Sequence, residues 1–169
     1  MIEGASLDTG RLVVRPFEED DADRLVAIFA DPDVARHVGD GAPLDRAEAL
    51  LWVRNSRANL SRHGYGTGAV VEKDGGRVIG WAGVARPEGE PPEIIYGFER
   101  AAWRKGYGRE LLAALVAFAA ARGIDPVRAT VAAGNAASSA LLLAAGFRLA
   151  DPRYGGDPQV QLYEWTAST

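Results

Sequence analysis

Polar and apolar residues along this chain switch repeatedly between a period of about two, which marks strands, and about 3.6, which marks helices. Arg11-Leu12-Val13-Val14-Arg15 reads as a strand that Pro16 stops. Asp20 or Asp21 can cap a helix whose Leu25, Ile28 and Phe29 share one face. Pro32 ends that helix and can open a short one over 33–38, and residues 39–43 form a turn-rich break. Asp45 is the expected N-cap of a helix over 46–62 that carries Leu50, Leu51, Trp52, Val53 and Leu60, with Gly64 just past its end. Three strands follow. The first spans 67–72 and turns through Asp74-Gly75-Gly76 into the second, 77–85; the third, 93–99, comes after a polar 87–92 loop. After Gly108, Leu111, Leu112, Leu115, Val116 and Ala119 recur as one face of a helix that Gly123 closes. A strand over 127–132, a helix over 135–145 stopped at Gly146, and strands over 147–150 and 160–165 complete the chain. Residues 1–10 read as a loose lead-in. Leading strands followed by two βα units predict a mixed α/β sheet in a single domain over 1–169, without repeat or linker.

Composition narrows the function classes. The 169 residues are 47% hydrophobic and 25% charged, enough for one soluble domain with a sizeable core. There is no apolar run near 18 residues, and Met1-Ile2-Glu3-Gly4 opens no secretory signal, so no membrane association and a cytoplasmic protein are expected. The chain has no cysteine and two histidines, which excludes thiolate chemistry and argues against a metal site. A net charge of −4 argues against a nucleic-acid partner and is compatible with a cationic amine.

The chemistry concentrates at 93–112. A strand runs into Arg100-Ala101-Ala102-Trp103-Arg104-Lys105-Gly106-Tyr107-Gly108-Arg109 and then into a helix. A strand, a glycine turn and a helix N-terminus make an anion site, because the first helical N–H groups lack partners and the dipole adds positive charge. Gly106 and Gly108 let a phosphate approach the backbone, and Arg104, Lys105 and Arg109 add charge. A P-loop is excluded, since neither Lys73 nor Lys105 follows a glycine. A dinucleotide fingerprint at Gly64-Tyr65-Gly66-Thr67-Gly68 fails because a strand follows it.

Trp103-Arg104-Lys105-Gly106-Tyr107-Gly108 resembles the pyrophosphate loop, Gln/Arg-x-x-Gly-x-Gly/Ala, of the GCN5-related N-acetyltransferase (GNAT) superfamily. Trp103 in the first position resembles the branch that acetylates ribosomal-protein N-termini. Asn135-Ala136-Ala137-Ser138 with Gly146-Phe147 resembles the family's Asn-x-x-Ser…Gly-Phe segment, and Thr9-Gly10-Arg11-Leu12 its opening strand. The resemblance implies a mostly antiparallel sheet, flanked by helices, whose central parallel strands splay to admit the pantetheine arm of acetyl-CoA. It implies acetyl transfer to an amine, a protein N-terminus or a small molecule, and admits a homodimer. A non-catalytic acyl-CoA-binding module on the same fold is the rival reading.

The amine must be neutral to attack. An α-amine titrates near ~7.7–8.0 and a lysine amine near ~10.4, so a modest base suffices for the first. Glu93, ten residues before Trp103, is the candidate base; the alternative is a solvated strand-start carboxylate. Alternation puts Glu93, Ile95 and Gly97 on one face and Ile94, Tyr96 and Phe98 on the other. Gly97 fits a bulge, a close ligand approach, or mere tolerance near a strand end. By the resemblance, Ile95, Trp103, Arg104, Lys105, Gly106, Tyr107, Gly108, Arg109, Asn135 and Ser138 hold the cofactor, and Tyr96 lines the acceptor channel. Leu142 stands where many relatives have a Tyr acid, leaving Ser138 to protonate the thiolate. Asn135 also reads as a helix N-cap. Glu99 is expected to cap the loop or pair with Arg100 or Arg104. The helices over 20–62 and the 152–160 loop are expected to shape the acceptor pocket, with Asp31, Asp33 and Asp40 as possible attractors of a cation.

Overall fold

The computed structural model describes residues 6–38, 41–85 and 89–167. Among these residues, eight strands form one sheet: β1 (Leu7–Asp8), β2 (Leu12–Pro16), β3 (Thr67–Glu72), β4 (Val78–Ala85), β5 (Glu93–Phe98), β6 (Val127–Ala132), β7 (Arg148–Asp151) and β8 (Val160–Trp165). Their spatial order is β1-β2-β3-β4-β5-β6-β8-β7. Every neighbouring pair is antiparallel except β5 and β6, which run parallel. The expected mixed, mostly antiparallel α/β sheet is present.

Among the described residues, five α-helices cover the two faces: α1 (Asp21–Phe29), α2 (Pro32–Ala35), α3 (Arg46–His63), α4 (Tyr107–Ala121) and α5 (Ala136–Ala144). On one face, Leu111, Leu112 and Leu115 of α4 and Leu142 of α5 pack on Ile79, Ile94 and Val127. On the other, Leu25, Ile28 and Phe29 of α1 and Val53 of α3 pack with Phe17, Ala69 and Trp81. The alternation of β5 therefore sorts its residues between two separate cores. Ile94, Tyr96 and Phe98 meet α4, and Ile95 meets the α1–α3 side.

Local signals explain most boundaries. The Asp45 carboxylate accepts from Glu48 N–H at 2.8 Å and the Glu48 side chain accepts from Asp45 N–H, a full capping box at the start of α3. The short helix expected over 33–38 is α2, Pro32–Ala35; Asp31 caps it and Pro32 is its first residue. Two expectations need correction. The lead-in is partly ordered: Leu7 and Asp8 pair with Val14 and Val13 of β2. Gly97 is neither a bulge nor a gap for a ligand. Trp81 is its cross-strand partner, and a Cβ there would lie 2.1 Å from the Trp81 ring. Asp40 and residues 87–88 of the polar loop lie outside the described residues.

Candidate active site

The parallel ladder between β5 and β6 consists of one pair, Glu93 with Arg128. Beyond it the strands part, so β5 and β6 form a V with Glu93 at its closed end. At the open end the chain leaves β5 through a short 3₁₀ turn, Arg100–Ala102, and enters α4.

That entry is shaped by two left-handed residues, Arg104 (φ 62°) and Gly106 (φ 80°). Glycine adopts this conformation freely; an arginine there stores about 1–2 kcal/mol of strain. Gly106 is the N-cap of α4 and offers no side-chain cap. The first intrahelical bond runs from Glu110 N–H to Gly106 O at 3.2 Å, so the amides of Tyr107, Gly108 and Arg109 precede it. Arg104, Lys105 and Arg109 are exposed around this turn. Arg11, Arg24, Arg77 and Arg100 nearby are all occupied by carboxylates.

The turn is braced from below. Trp103 Nε1 donates to Phe98 O at 2.9 Å, which turns the indole back onto β5. Tyr107 is buried and its hydroxyl donates to Glu72 at 2.7 Å, so only its backbone faces the turn. Arg11 stacks over the Tyr107 ring, 4.3 Å from the centroid. Glu110, which the sequence reading passed over, accepts from Thr9 Oγ1 and from both the backbone N–H and the Nε of Arg11. It ties the β1–β2 turn to the first turn of α4. Gly108 serves helix packing, since a Cβ there would meet Leu141 of α5 at 2.9 Å. Glu99 does not pair with Arg100 or Arg104. It accepts from Arg24 and Arg77, while Arg100 pairs with Asp31 and Asp33. The two aspartates are thus already engaged by a cation of the chain.

Glu93 lies on the α1–α3 side of the sheet. Its Oε2 accepts from Thr130 Oγ1 at 3.0 Å. Burial pushes its pKa above the ordinary carboxylate range; the Thr130 hydroxyl and the Arg128 charge pull it partly back, and Glu90 pushes it up again. Glu93 lines a cavity of about 180 Å³ with Glu90, Pro91, Arg128, Thr130, Tyr154 and Val160. Tyr154 belongs to the 152–160 loop expected at the acceptor pocket. Arg128, Thr130, Tyr154 and Glu90 were not singled out from the sequence. The available signal was Arg128 and Thr130 alternating with Val127, Ala129 and Val131 on an otherwise apolar strand. A larger depression, about 680 Å³, lies between α1 and the 100–102 turn. Its charges pair with one another, and of the residues expected to draw a cationic acceptor it holds Asp31, which Arg100 already occupies.

Ser138 and Tyr96 meet on the opposite face. Their hydroxyl oxygens are 3.3 Å apart, long for an O–H···O contact. Burial raises the Tyr96 pKa, with Ser138 opposing, so the phenol stays protonated at neutral pH. Asn135 accepts from Ser138 N–H at 3.2 Å as the N-cap of α5. Leu142 is buried in the core. Ile95 sits beside Glu93 on β5, half-buried against the α1–α3 core.

A family profile described as an acetyltransferase (GNAT) domain matches residues 11–148. The chain belongs to the GNAT family. As a GNAT-family chain it is an N-acetyltransferase. It is 26% identical over 145 residues to an uncharacterised N-acetyltransferase, YoaA, of Bacillus subtilis strain 168, covering 84% of this chain and 82% of that one. An acetyltransferase of Agrobacterium tumefaciens strain C58 superposes with a TM-score of 0.81 at 24% identity, covering 96% and 94% of the two chains. RimL, a ribosomal L7/L12 α-N-protein acetyltransferase solved with coenzyme A, superposes with a TM-score of 0.77 at 17% identity, covering 95% and 97%. These structural likenesses are statements about fold. Among the described residues, no helix is long and apolar enough to cross a membrane, and no group of three or more His, Asp or Glu side chains could hold a metal ion.

Proposed function

We propose that this GNAT enzyme uses acetyl-CoA and transfers its acetyl group to a primary amine by direct attack, with Glu93 as base. The observation that carries this reading is the parallel ladder that stops after Glu93 and Arg128. It leaves a slot between two strands, with an uncapped helix N-terminus at one end and a half-buried carboxylate at the other.

The residues fit the cofactor. The amides of Tyr107, Gly108 and Arg109, helped by Arg104 and Lys105, would take the pyrophosphate, and Ile95 and Asn135 would flank the arm. The bound thioester supplies the acetyl group and an electrophilic carbonyl. The chain's part is then proton traffic. Glu93 accepts the proton that the amine loses as its nitrogen bonds to the carbonyl carbon. Ser138, with Tyr96 behind it, donates a proton to the sulfur as the C–S bond breaks. Base and acid sit on opposite faces of β5, which suits an acceptor and a cofactor entering from opposite sides. A raised carboxyl pKa brings the base closer to the pH at which it works.

The acceptor class is a primary amine. A protein N-terminal α-amine is the first reading, because it needs only a modest base, and RimL, which shares the fold, is an α-N-protein acetyltransferase. A small-molecule amine is the second, favoured by the cavity of about 180 Å³ beside Glu93. With a water's share of liquid near 30 Å³, that space admits the reacting end of an acceptor and little more.

Thermal melting with acetyl-CoA, against ATP and NAD, tests the cofactor. Ligand at ~100 times its dissociation constant stabilises by ~2.7 kcal/mol, and each kcal/mol is worth roughly 2–4 °C in a domain of this size. The expected shift is several degrees with acetyl-CoA alone, followed by amine-dependent release of coenzyme A. No shift at millimolar acetyl-CoA contradicts the reading.

A further inference from the structure

Arg128 is the residue that the mechanism above leaves idle. It sits on β6 directly beside Glu93, in the one pair that joins the two strands. Only 14% of its side chain is exposed. A guanidinium this far from water is normally held by a carboxylate in a fork of parallel hydrogen bonds. Arg128 has no such fork. Its Nε is, among the described residues, the one buried side-chain nitrogen or oxygen without a hydrogen-bond partner. The nearest carboxylate, Glu164, is its cross-strand neighbour on β8, but the Nε–Oε2 distance of 3.9 Å is beyond hydrogen-bond reach. Glu164 is also shared: its Oε1 accepts from Arg148 Nη2 at 3.0 Å. The Tyr154 ring centroid lies 5.2 Å from the guanidinium carbon, and the Tyr154 hydroxyl donates to Glu90, which raises its pKa, with the Arg128 guanidinium close enough to oppose that rise.

A buried arginine that lines a cavity with its Nε unpaired and no carboxylate fork is costly unless something enters to meet it. The cavity's other charged walls are Glu90 and Glu93. A purely cationic acceptor would satisfy those two and leave Arg128 facing a second positive charge. A purely anionic one would be repelled by them. A molecule with an ammonium and a carboxylate a few bonds apart matches both.

Resting on the acetyltransferase reading, we propose that Arg128 is an acceptor-carboxylate subsite, and that the enzyme acetylates amines bearing a carboxylate close to the amino group. Two sources share this chemistry: a free amino acid, and a peptide whose first residue is Asp or Glu. In both, the Arg128 fork binds the carboxylate and aims the amine at Glu93. Tyr154 closes the side of the subsite, and its ring holds the guanidinium plane.

The test measures coenzyme A release with matched acceptors: free amino acids against their carboxamides, and peptides beginning with Asp or Glu against Asn or Gln. Wild-type enzyme, Arg128→Gln and Arg128→Lys are compared. Acetyl-CoA-induced thermal stabilisation in each variant confirms that it is folded. Wild-type enzyme is expected to favour the carboxylate member of a pair by roughly 10–100-fold in kcat/KM, the range of a charge-assisted bond. Arg128→Gln should erase that preference, chiefly by raising KM for the carboxylate member of each pair. Arg128→Lys, which keeps the charge and loses the fork, should fall between. Whichever pair shows the preference identifies the source. Equal turnover of both members of every pair in wild-type enzyme overturns the subsite while leaving the acetyltransferase intact. Acetyl-CoA binding without turnover of any amine overturns the proposed reaction instead. Calorimetric titration of glutamate into the coenzyme A complex then decides the subsite alone. Binding that Arg128→Gln abolishes supports it, and absence of binding to wild-type protein overturns it.

Discussion

The two ends of the V are built in different ways. The open end is made of backbone. Its proposed cofactor-binding groups are the amides of Tyr107, Gly108 and Arg109, which precede the first intrahelical bond, and it is contiguous in sequence from Trp103 to Glu110. The closed end is made of side chains. Glu93, Arg128, Thr130 and Tyr154 come from β5, β6 and the 152–160 loop, and meet only when the sheet forms. Backbone sites bind a group common to every cofactor molecule, and little side-chain identity is needed beyond glycine. Side-chain sites choose among acceptors. The difference suggests where variation acts: changes at the open end should alter cofactor affinity alike for all acceptors, and changes at the closed end should alter which acceptor reacts.

The largest effect that would sharpen this contrast is at Glu93. Glu93→Gln should lower kcat by ~10²–10⁴, the usual worth of a general base, equivalent to about 3–5 kcal/mol in the barrier, with acetyl-CoA affinity unchanged. Its stability should move the other way. Because burial raises the folded-state pKa, the native carboxyl holds its proton more tightly than the unfolded chain does. The stability this gives is present below the unfolded carboxylate range and lost as pH rises through the folded value. The glutamine variant should therefore melt no lower than wild type at neutral pH, as differential scanning calorimetry would register. A variant both inactive and unstable would make Glu93 structural.

A smaller effect belongs to β5 itself. Gly97→Ala drives a Cβ into the Trp81 ring and should cost about 1–3 kcal/mol by overpacking, read as a lowered denaturant midpoint. The smallest is at the acid. Ser138→Ala and Tyr96→Phe should each slow turnover about 2–10-fold, the worth of one hydrogen bond. The double variant should be no slower than the worse single if the two hydroxyls act as one relay. Multiplicative losses would break the relay.

Much of the fold was legible because local signals and packing agree. Strands over 67–72, 127–132 and 160–165 appear with the bounds their alternation predicts, and Asp45, Gly64 and Asn135 cap helices as their residue types require. The start of α4 moved because Gly106, not Gly108, takes the left-handed turn, which makes Tyr107 the first helical residue. Glycine spacing showed that a turn existed and left open which glycine made it. At the site, Glu93 and the turn lie on one continuous stretch and could be read directly. The partners of Glu99 could not, since Arg24 and Arg77 are 75 and 22 residues away. Arg128 escaped for a related reason. A charged residue on a central strand is conspicuous only when its neighbour across an open parallel pair is known, and that pairing is a property of the sheet.

The account turns on Glu93 as an ionisable base. The most direct measurement is the pH dependence of kcat for wild type and Glu93→Gln, with the amine's own ionisation measured separately and divided out. The account predicts that wild-type kcat falls with acid through an apparent pKa above the ordinary carboxylate range, and that this limb vanishes in the glutamine variant. The same acid limb in both proteins would contradict it.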